Sequence, residues 1–369
     1  MVVEQGQTGS TDEEQGTVDA MTETMTAMRI EEFGGPEVLA AANVPVPVPG
    51  AGELLVRVAY CGVCRHDLLT RAGAFPRARL PVILGHQVSG TVAQLGEGTT
   101  GFRVGDRVMT MIFVGCGACE NCDAGRDALC LEQTPQFLGE DYDGGYADYV
   151  VVRQRTAVPV PDSVGLPEAA ILTCTLGTAY HALVGRGKLL AGQTVVVTGA
   201  GGGVGSHAIQ IAKAVGAVAV GVVSSERGAE SARAAGADHV IVNAERKFAK
   251  ELRATLGHQA HLVLEVVGEP TLNESLHAVR PGGTVVVLGN VEGKKASIPP
   301  AYLILKEIGL IGTKSCTTEE MGQVLELIAA GKVVPEVSEI IPLSQATELH
   351  RSMEAEGTSG RVVLEVAGA

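Results

Sequence analysis

Residues 193–216, QTVVVTGAGGGVGSHAIQIAKAVG, decide the fold. Thr194 to Thr198 form a short uninterrupted apolar run, the pattern of a strand buried on both faces. Five glycines follow within seven residues, and SHAIQIAKAV then places apolar side chains at helical spacing. The turn reads AxGxxG from Ala200 through Gly202 to Gly205, with Gly199, Gly201, Gly203 and Val204 in the same loop. Residues without Cβ let the backbone approach a pyrophosphate, whose charge is favoured at the N-terminus of the next helix. A plain flexible turn would have the same glycines, but the position between strand and helix favours dinucleotide binding.

Working outward, the segments VAVGVVSS, HLVLEVVG and GGTVVVLG repeat the buried-strand pattern between helical stretches, which predicts a doubly wound parallel sheet. The strand after the glycine turn ends at Val223, followed by Ser224, Ser225, Glu226 and Arg227. An NAD site usually offers an acidic group there for the ribose hydroxyls. Two hydroxyls and a guanidinium suit a 2′-phosphate, whereas Glu226 would repel one if it pointed inward; the reading favours NADP(H) over NAD(H). From Met28 to about Val160, short alternating segments such as ELLVRVAYCGV, VSGTVAQLG and GDRVMTM are punctuated by Gly and Pro. That pattern predicts a β-barrel with long excursions.

The expected organisation is α/β. An acidic disordered tail spans 1–27, a barrel domain 28–175, the parallel-sheet domain 176–316 and a closing segment 317–369. Residues 1–27 hold six acidic and no basic side chains in a Gly, Thr and Gln background, too little apolar surface to offset ordering entropy. The closing segment holds one helical pattern, EEMGQVLELIAAG, and one strand pattern, GRVVLEV, that can rejoin the barrel. At 369 residues and 46% hydrophobic, the chain can bury a large core. The net charge of −14 argues against nucleic-acid or anionic-membrane partners, because such a surface repels phosphate. With no spanning run and no signal pattern, a cytoplasmic location is expected.

Cytoplasmic thiols stay reduced, so the eight cysteines read as ligands or buried thiols. GCGACENCDAGRDALC sets Cys116, Cys119, Cys122 and Cys130 in one polar loop, about residues 115–131, with spacing CxxCxxCx7C. Four thiolates suit a tetrahedral zinc with every position filled. An iron–sulfur cluster is the other four-cysteine reading. A saturated metal binds no substrate, so the chemistry lies elsewhere. A sparser set, Cys64, His86 and Cys174, would leave a fourth zinc position open. Taken one at a time, these three would be ordinary buried residues.

The ordered set GVCRHD, LGHQ, GFRVGDRV, the four-cysteine lobe, LTCTLGTAYHAL and VTGAGGGVG resembles the zinc-containing medium-chain dehydrogenase/reductase family, from Met28 to the C-terminus. The resemblance implies a GroES-like barrel catalytic domain with a Rossmann domain inserted, and the active site in the cleft between them. It makes Cys64, His86 and Cys174 the catalytic zinc ligands and Asp67 the carboxylate behind His86. It places Arg65 and Arg361 at the pyrophosphate and Thr178 against the nicotinamide, and it implies a homodimer or homotetramer with YLILKEIGLIGT as a candidate interface strand.

Three departures stand out. The hydroxyl that takes the alcohol proton in alcohol dehydrogenases is replaced by His66. Leu69 stands where a histidine often finishes the relay, and Gln87 where a Glu usually flanks the zinc histidine. An imidazole both takes up and releases protons near neutrality, so His66 is the candidate general acid/base. A neutral Gln87 leaves a zinc more electrophilic. The expected activity is hydride transfer between NADP(H) and an alcohol or carbonyl. HDLLTRAGAFPRARLPVILGH also resembles the acryloyl-CoA reductase branch, where Arg71, Arg77 and Arg79 could meet coenzyme A phosphates. A non-catalytic nucleotide sensor is the third reading.

Overall fold

The computed structural model describes residues 23–290, 293–356 and 360–366. The acidic stretch 1–22 lies outside the described residues. The expected tail boundary at 27 is corrected: Thr24–Ile30 is a strand antiparallel to Ala40–Pro45, with Met25 and Ala27 buried. Its Thr-Met-Thr-Ala alternation sends Met25 and Ala27 to the inner face, a signal hidden by counting charge over the whole segment.

The barrel is organised around Glu53–Val63. This strand pairs antiparallel with Gln87–Leu95 along one edge, and with Tyr149–Arg153 and Val362–Glu365 along the other. Its apolar side chains Leu54, Val56, Val58, Cys61 and Val63 enter one core with Val88, Val92, Val150 and Leu364. Val63 is the last residue of the strand, so Cys64 emerges at the barrel's end and caps the helix Arg65–Arg71.

The second domain is a six-stranded parallel sheet in the order His239–Val242, Val218–Val223, Thr194–Thr198, Ala260–Glu265, Val279–Val287, Gly309–Gly312. Numbered by appearance that order is 3-2-1-4-5-6, so the chain reverses direction beside Thr194–Thr198, where doubly wound sheets bind ligands. Val195, Val196 and Val197 are fully buried, as a strand covered on both faces requires.

Two domain limits move. A helical run from Leu166 to Arg186 crosses the expected boundary at 175/176, with π-helical turns over Thr173–Gly177 and His181–Arg186. The helix Thr318–Ala329 buries Met321 and Val324 in the core that holds Leu176, Ala179 and Val197. The segment that rejoins the barrel therefore begins at the strand Glu339–Pro342, not at 317. The proposed interface strand is also shorter than expected: Pro300–Lys306 is a helix, and Gly309–Gly312 alone is the sheet's last strand. No helix among the described residues is long and apolar enough to cross a membrane.

Candidate functional site

Three distant segments meet where the barrel faces the sheet domain. Cys64 lies at the end of the barrel strand, His86 just before Gln87–Leu95, and Cys174 in the π-helical turn. Their ligand atoms lie within 4.8 Å of one another. Cys64 Sγ and His86 Nε2 are 3.5 Å apart. Ligand bonds of about 2.3 Å to sulfur and about 2.1 Å to nitrogen at a tetrahedral angle predict about 3.6 Å. A π-turn is a rare insertion that recurs at functional sites, and here it carries a ligand.

Asp67 is 2% exposed and accepts hydrogen bonds from Cys64 N at 2.8 Å and His86 Nδ1 at 2.9 Å. The imidazole is thereby fixed with Nδ1 toward the carboxylate and Nε2 toward the two sulfurs. Burial disfavours the charged ring, but Asp67 and Cys64 outweigh it and raise His86 to about 10. Burial also opposes ionisation of Asp67, yet His86 holds it below the usual carboxylate range. The hydrogen bond with Cys174 and burial push the Cys64 thiol up, while the same bond draws Cys174 down. The set therefore shares protons that a divalent cation would displace. Gln87 is fully buried beside it, and both of its amide atoms lack partners among the described residues.

Cys116, Cys119, Cys122 and Cys130 form the second donor group, also within 4.8 Å of one another. The contacts Cys116 to Cys122 and Cys119 to Cys130 are 3.9 and 4.0 Å, close to the roughly 3.8 Å between sulfurs in a tetrahedral zinc site. Backbone N–H groups point at the sulfurs, from Cys116 to Cys130 and from Ala118 to Cys116. Backbone bonds from Leu131 and Cys122 bring Cys119 down to about 6, toward the thiolate a metal needs. Both sets fit zinc, one closed and one with a free position.

His66 follows the first ligand by two residues, but its ring is anchored elsewhere. Nε2 lies 2.7 Å from Glu140 Oε2, and Arg77 Nε donates to Glu140 Oε1 at 2.9 Å. The ring is sandwiched between Phe75 and Phe137, with centroids 4.4 and 4.2 Å away. Sequence reading missed Glu140, because nothing in GEDYDGG distinguishes it from Asp141 or Asp143. Leu69, in the family's relay position, is partly exposed.

The glycine turn has the geometry of an anion cradle. Gly202 caps the helix Gly203–Val215 without a side-chain hydrogen bond, leaving its first N–H groups for a ligand. A Cβ on Gly203 would sit 2.2 Å from Arg361 Nε, and one on Gly205 would sit 2.3 Å from Gly199 O. Arg361 Nε is buried with no partner among the described residues, an orphan donor beside the cradle that fits a phosphate. Gly199 adopts the left-handed conformation at φ 61°, and Val204 packs at the core's edge.

Thr178 is buried one helical turn beyond Cys174, its hydroxyl donating to Thr173 O at 3.2 Å. Arg65 is exposed at the start of its helix. Ser225 caps the helix Glu226–Ala234. Glu226 pairs with Arg233 at 2.6 Å, while Ser224 and Arg227 are exposed. At the opposite side of the turn, Glu265 is fully buried and accepts from Thr198 Oγ1, Val267 N, Gly268 N and Thr271 Oγ1, which fixes the end of its strand. One basic candidate is removed: Arg71 is fully buried and paired with Glu354, so it cannot meet a coenzyme A phosphate.

A parallel nucleotide-binding sheet beside a barrel that carries an open sulfur and nitrogen donor set defines a two-domain oxidoreductase. The profile of the alcohol dehydrogenase GroES-like domain matches residues 50–162, and that of the zinc-binding dehydrogenase matches residues 203–330. The chain is 36% identical to an acryloyl-coenzyme A reductase of Sulfurisphaera tokodaii, over 88% of this chain and 95% of that protein. It is 35% identical to an NAD-dependent alcohol dehydrogenase of the same organism, over 92% and 99%. The crystal structure of AibC superposes with a TM-score of 0.89 at 39% identity, covering 94% of this chain and 97% of that one. The chain belongs to the zinc-containing medium-chain dehydrogenase/reductase family.

Proposed function

We propose that this chain is a zinc-assisted, NADP(H)-dependent alcohol dehydrogenase or carbonyl reductase of the cytoplasm, acting on a small-molecule substrate as a homodimer or homotetramer. The observation that carries the reading is the open donor set, Cys64, His86 and Cys174 within 4.8 Å, with Asp67 behind the histidine. Zinc held there supplies a Lewis acid for a substrate oxygen. The four-cysteine lobe holds the second, structural zinc. Asp67 keeps His86 Nε2 aimed at the open set. Thr178, Gly199, Gly202, Gly203, Val204, Gly205, Arg65 and Arg361 hold the dinucleotide, and His66 handles the substrate proton. Ser224, Ser225 and Arg227 take the 2′-phosphate, since Glu226 is drawn away by Arg233. The edge strand Gly309–Gly312 and the exposed Ile304 and Leu305 before it supply an association face.

Reduction of a 2-enoyl-CoA is the second reading. It is favoured by the missing hydroxyl relay at His66 and Leu69, together with the 36% identity to the acryloyl-coenzyme A reductase. The test is a panel of aldehydes, ketones and enoyl-CoAs with NADPH. Turnover of carbonyls that is lost on chelation and restored by zinc supports the proposal. Turnover of enoyl-CoAs alone selects the second reading, and no turnover of any leaves a nucleotide sensor.

A further inference from the structure

Three acidic residues crowd the turn after Phe137; one ties the turn to itself and another ties it to the strand Val82–Ile83. Asp141 Oδ2 accepts from Phe137 N at 2.7 Å, and Asp143 Oδ1 accepts from Ile83 N at 2.9 Å. Glu140 takes no such part through its side chain; its backbone carbonyl accepts from Arg79 N, and its carboxylate turns inward to 2% exposure. Burying a carboxylate is expensive unless both oxygens are paired. Here one oxygen meets His66 Nε2 at 2.7 Å and the other Arg77 Nε at 2.9 Å.

The imidazole it meets cannot turn over. Phe75 and Phe137 stack on its two faces at interplanar angles of 17° and 21°. Phe113 packs edge-on against Phe137 at 5.0 Å and so backs one side of the sandwich. The His66 ring lies 5.4 Å from the ring of His86, beside the open donor set. An aromatic sandwich and a paired carboxylate are more than a solvated histidine needs.

We propose that Glu140 is a positioning residue: clamped by Arg77, it fixes His66 as the tautomer with its proton on Nε2 and so leaves Nδ1 to exchange a proton with the substrate. This rests on the hydride-transfer reading above. In oxidation the hydroxyl proton passes to His66 Nδ1 as the substrate carbon gives hydride, with its electron pair, to the oxidised nicotinamide co-substrate. Reduction returns the proton from Nδ1 to the oxygen. Glu140 offsets the ring's transient positive charge and never touches the substrate. The logic is that of any carboxylate that sets a catalytic imidazole's tautomer.

The direct test is nitrogen NMR of histidine-labelled, zinc-loaded full-length protein, with His66→Ala assigning the signal. The expected spectrum has Nε2 protonated and Nδ1 bare, shifting toward Nδ1–H in Glu140→Gln, whose amide can donate to Nε2. A wild-type proton on Nδ1 overturns the proposal. This readout needs no substrate, so it decides the proposal even if the panel shows no turnover and the functional reading falls. With turnover, Glu140→Gln should lower kcat about 100-fold, with coenzyme KM and zinc content unchanged. Glu140→Asp, which keeps the carboxylate, should recover part of the loss. In a His66→Ala background the Gln substitution should cost less than twofold; an equal fall in both backgrounds makes Glu140 a purely structural residue and overturns the assignment.

Discussion

Replacing Asp67 by Asn should selectively loosen the open metal site. The wild-type carboxylate serves two buried donors, Cys64 N and His86 Nδ1, from its two oxygens. An amide has one oxygen, so one donor must face an NH2 group, and the charge that steadies the imidazole is gone. A buried hydrogen bond to a charged acceptor is worth about 1.5–3 kcal/mol. Loss of a carboxylate behind a metal-bound histidine weakens binding about 10- to 100-fold, or about 1.4–2.7 kcal/mol. Both estimates agree, so a fall of that size in zinc affinity is expected. The assay is competition with a graded chelator, reading zinc content and turnover together. The four-cysteine site is the internal control, and its release curve should not move. If Asp67→Asn holds catalytic-site zinc within twofold of wild type, the carboxylate does not orient His86 and the reasoning fails.

Fully loaded protein should contain two zinc ions per chain; Cys174→Ser should abolish turnover with little change in Tm, and Cys119→Ser should lower Tm, while metal analysis giving one zinc or fewer rejects the two-site arrangement. NADPH should show a lower KM than NADH, and Arg227→Ala should erode the difference; a wild-type preference for NADH of tenfold, about 1.4 kcal/mol, removes the 2′-phosphate assignment. His66→Ala should slow single-turnover hydride transfer, followed with deuterated reductant, more than it weakens coenzyme binding. His66→Ser should restore part of that rate, and an unchanged Ala variant makes His66 a bystander.

The parts legible in the sequence are those whose cause is local. A strand, five glycines and a helix lie in one short run, so Thr194–Val215 is readable by periodicity alone. The four cysteines of the lobe span one loop, so their spacing carries their chemistry. Cys64, His86 and Cys174 come from three segments, and only the family resemblance joined them. Glu140 lies 74 residues from His66, in a turn whose three carboxylates look alike until the fold points one inward. The helical run through Cys174 hides its π-turns, because a π-turn changes register without changing composition. Arg71 shows the converse: its basic surroundings suggest a surface edge, yet it is fully buried.

The pairing of Val362–Glu365 with Glu53–Val63 also dictates an order of assembly. Tyr60 and Glu365 hydrogen-bond across 305 residues of sequence, whereas the parallel sheet is built from one continuous stretch. The six strands of the sheet are all made before Val362–Glu365, so the barrel's first long strand waits for a partner while the sheet's strands already have theirs. Cys64 follows directly from the strand that waits for this partner, and Arg361, beside the glycine cradle, comes just before the partner itself. Metal site and nucleotide site are therefore completed by the same final residues. A chain without residues 361–365 would keep every strand of the parallel sheet, yet lose the barrel's closing strand and the arginine at the glycine cradle.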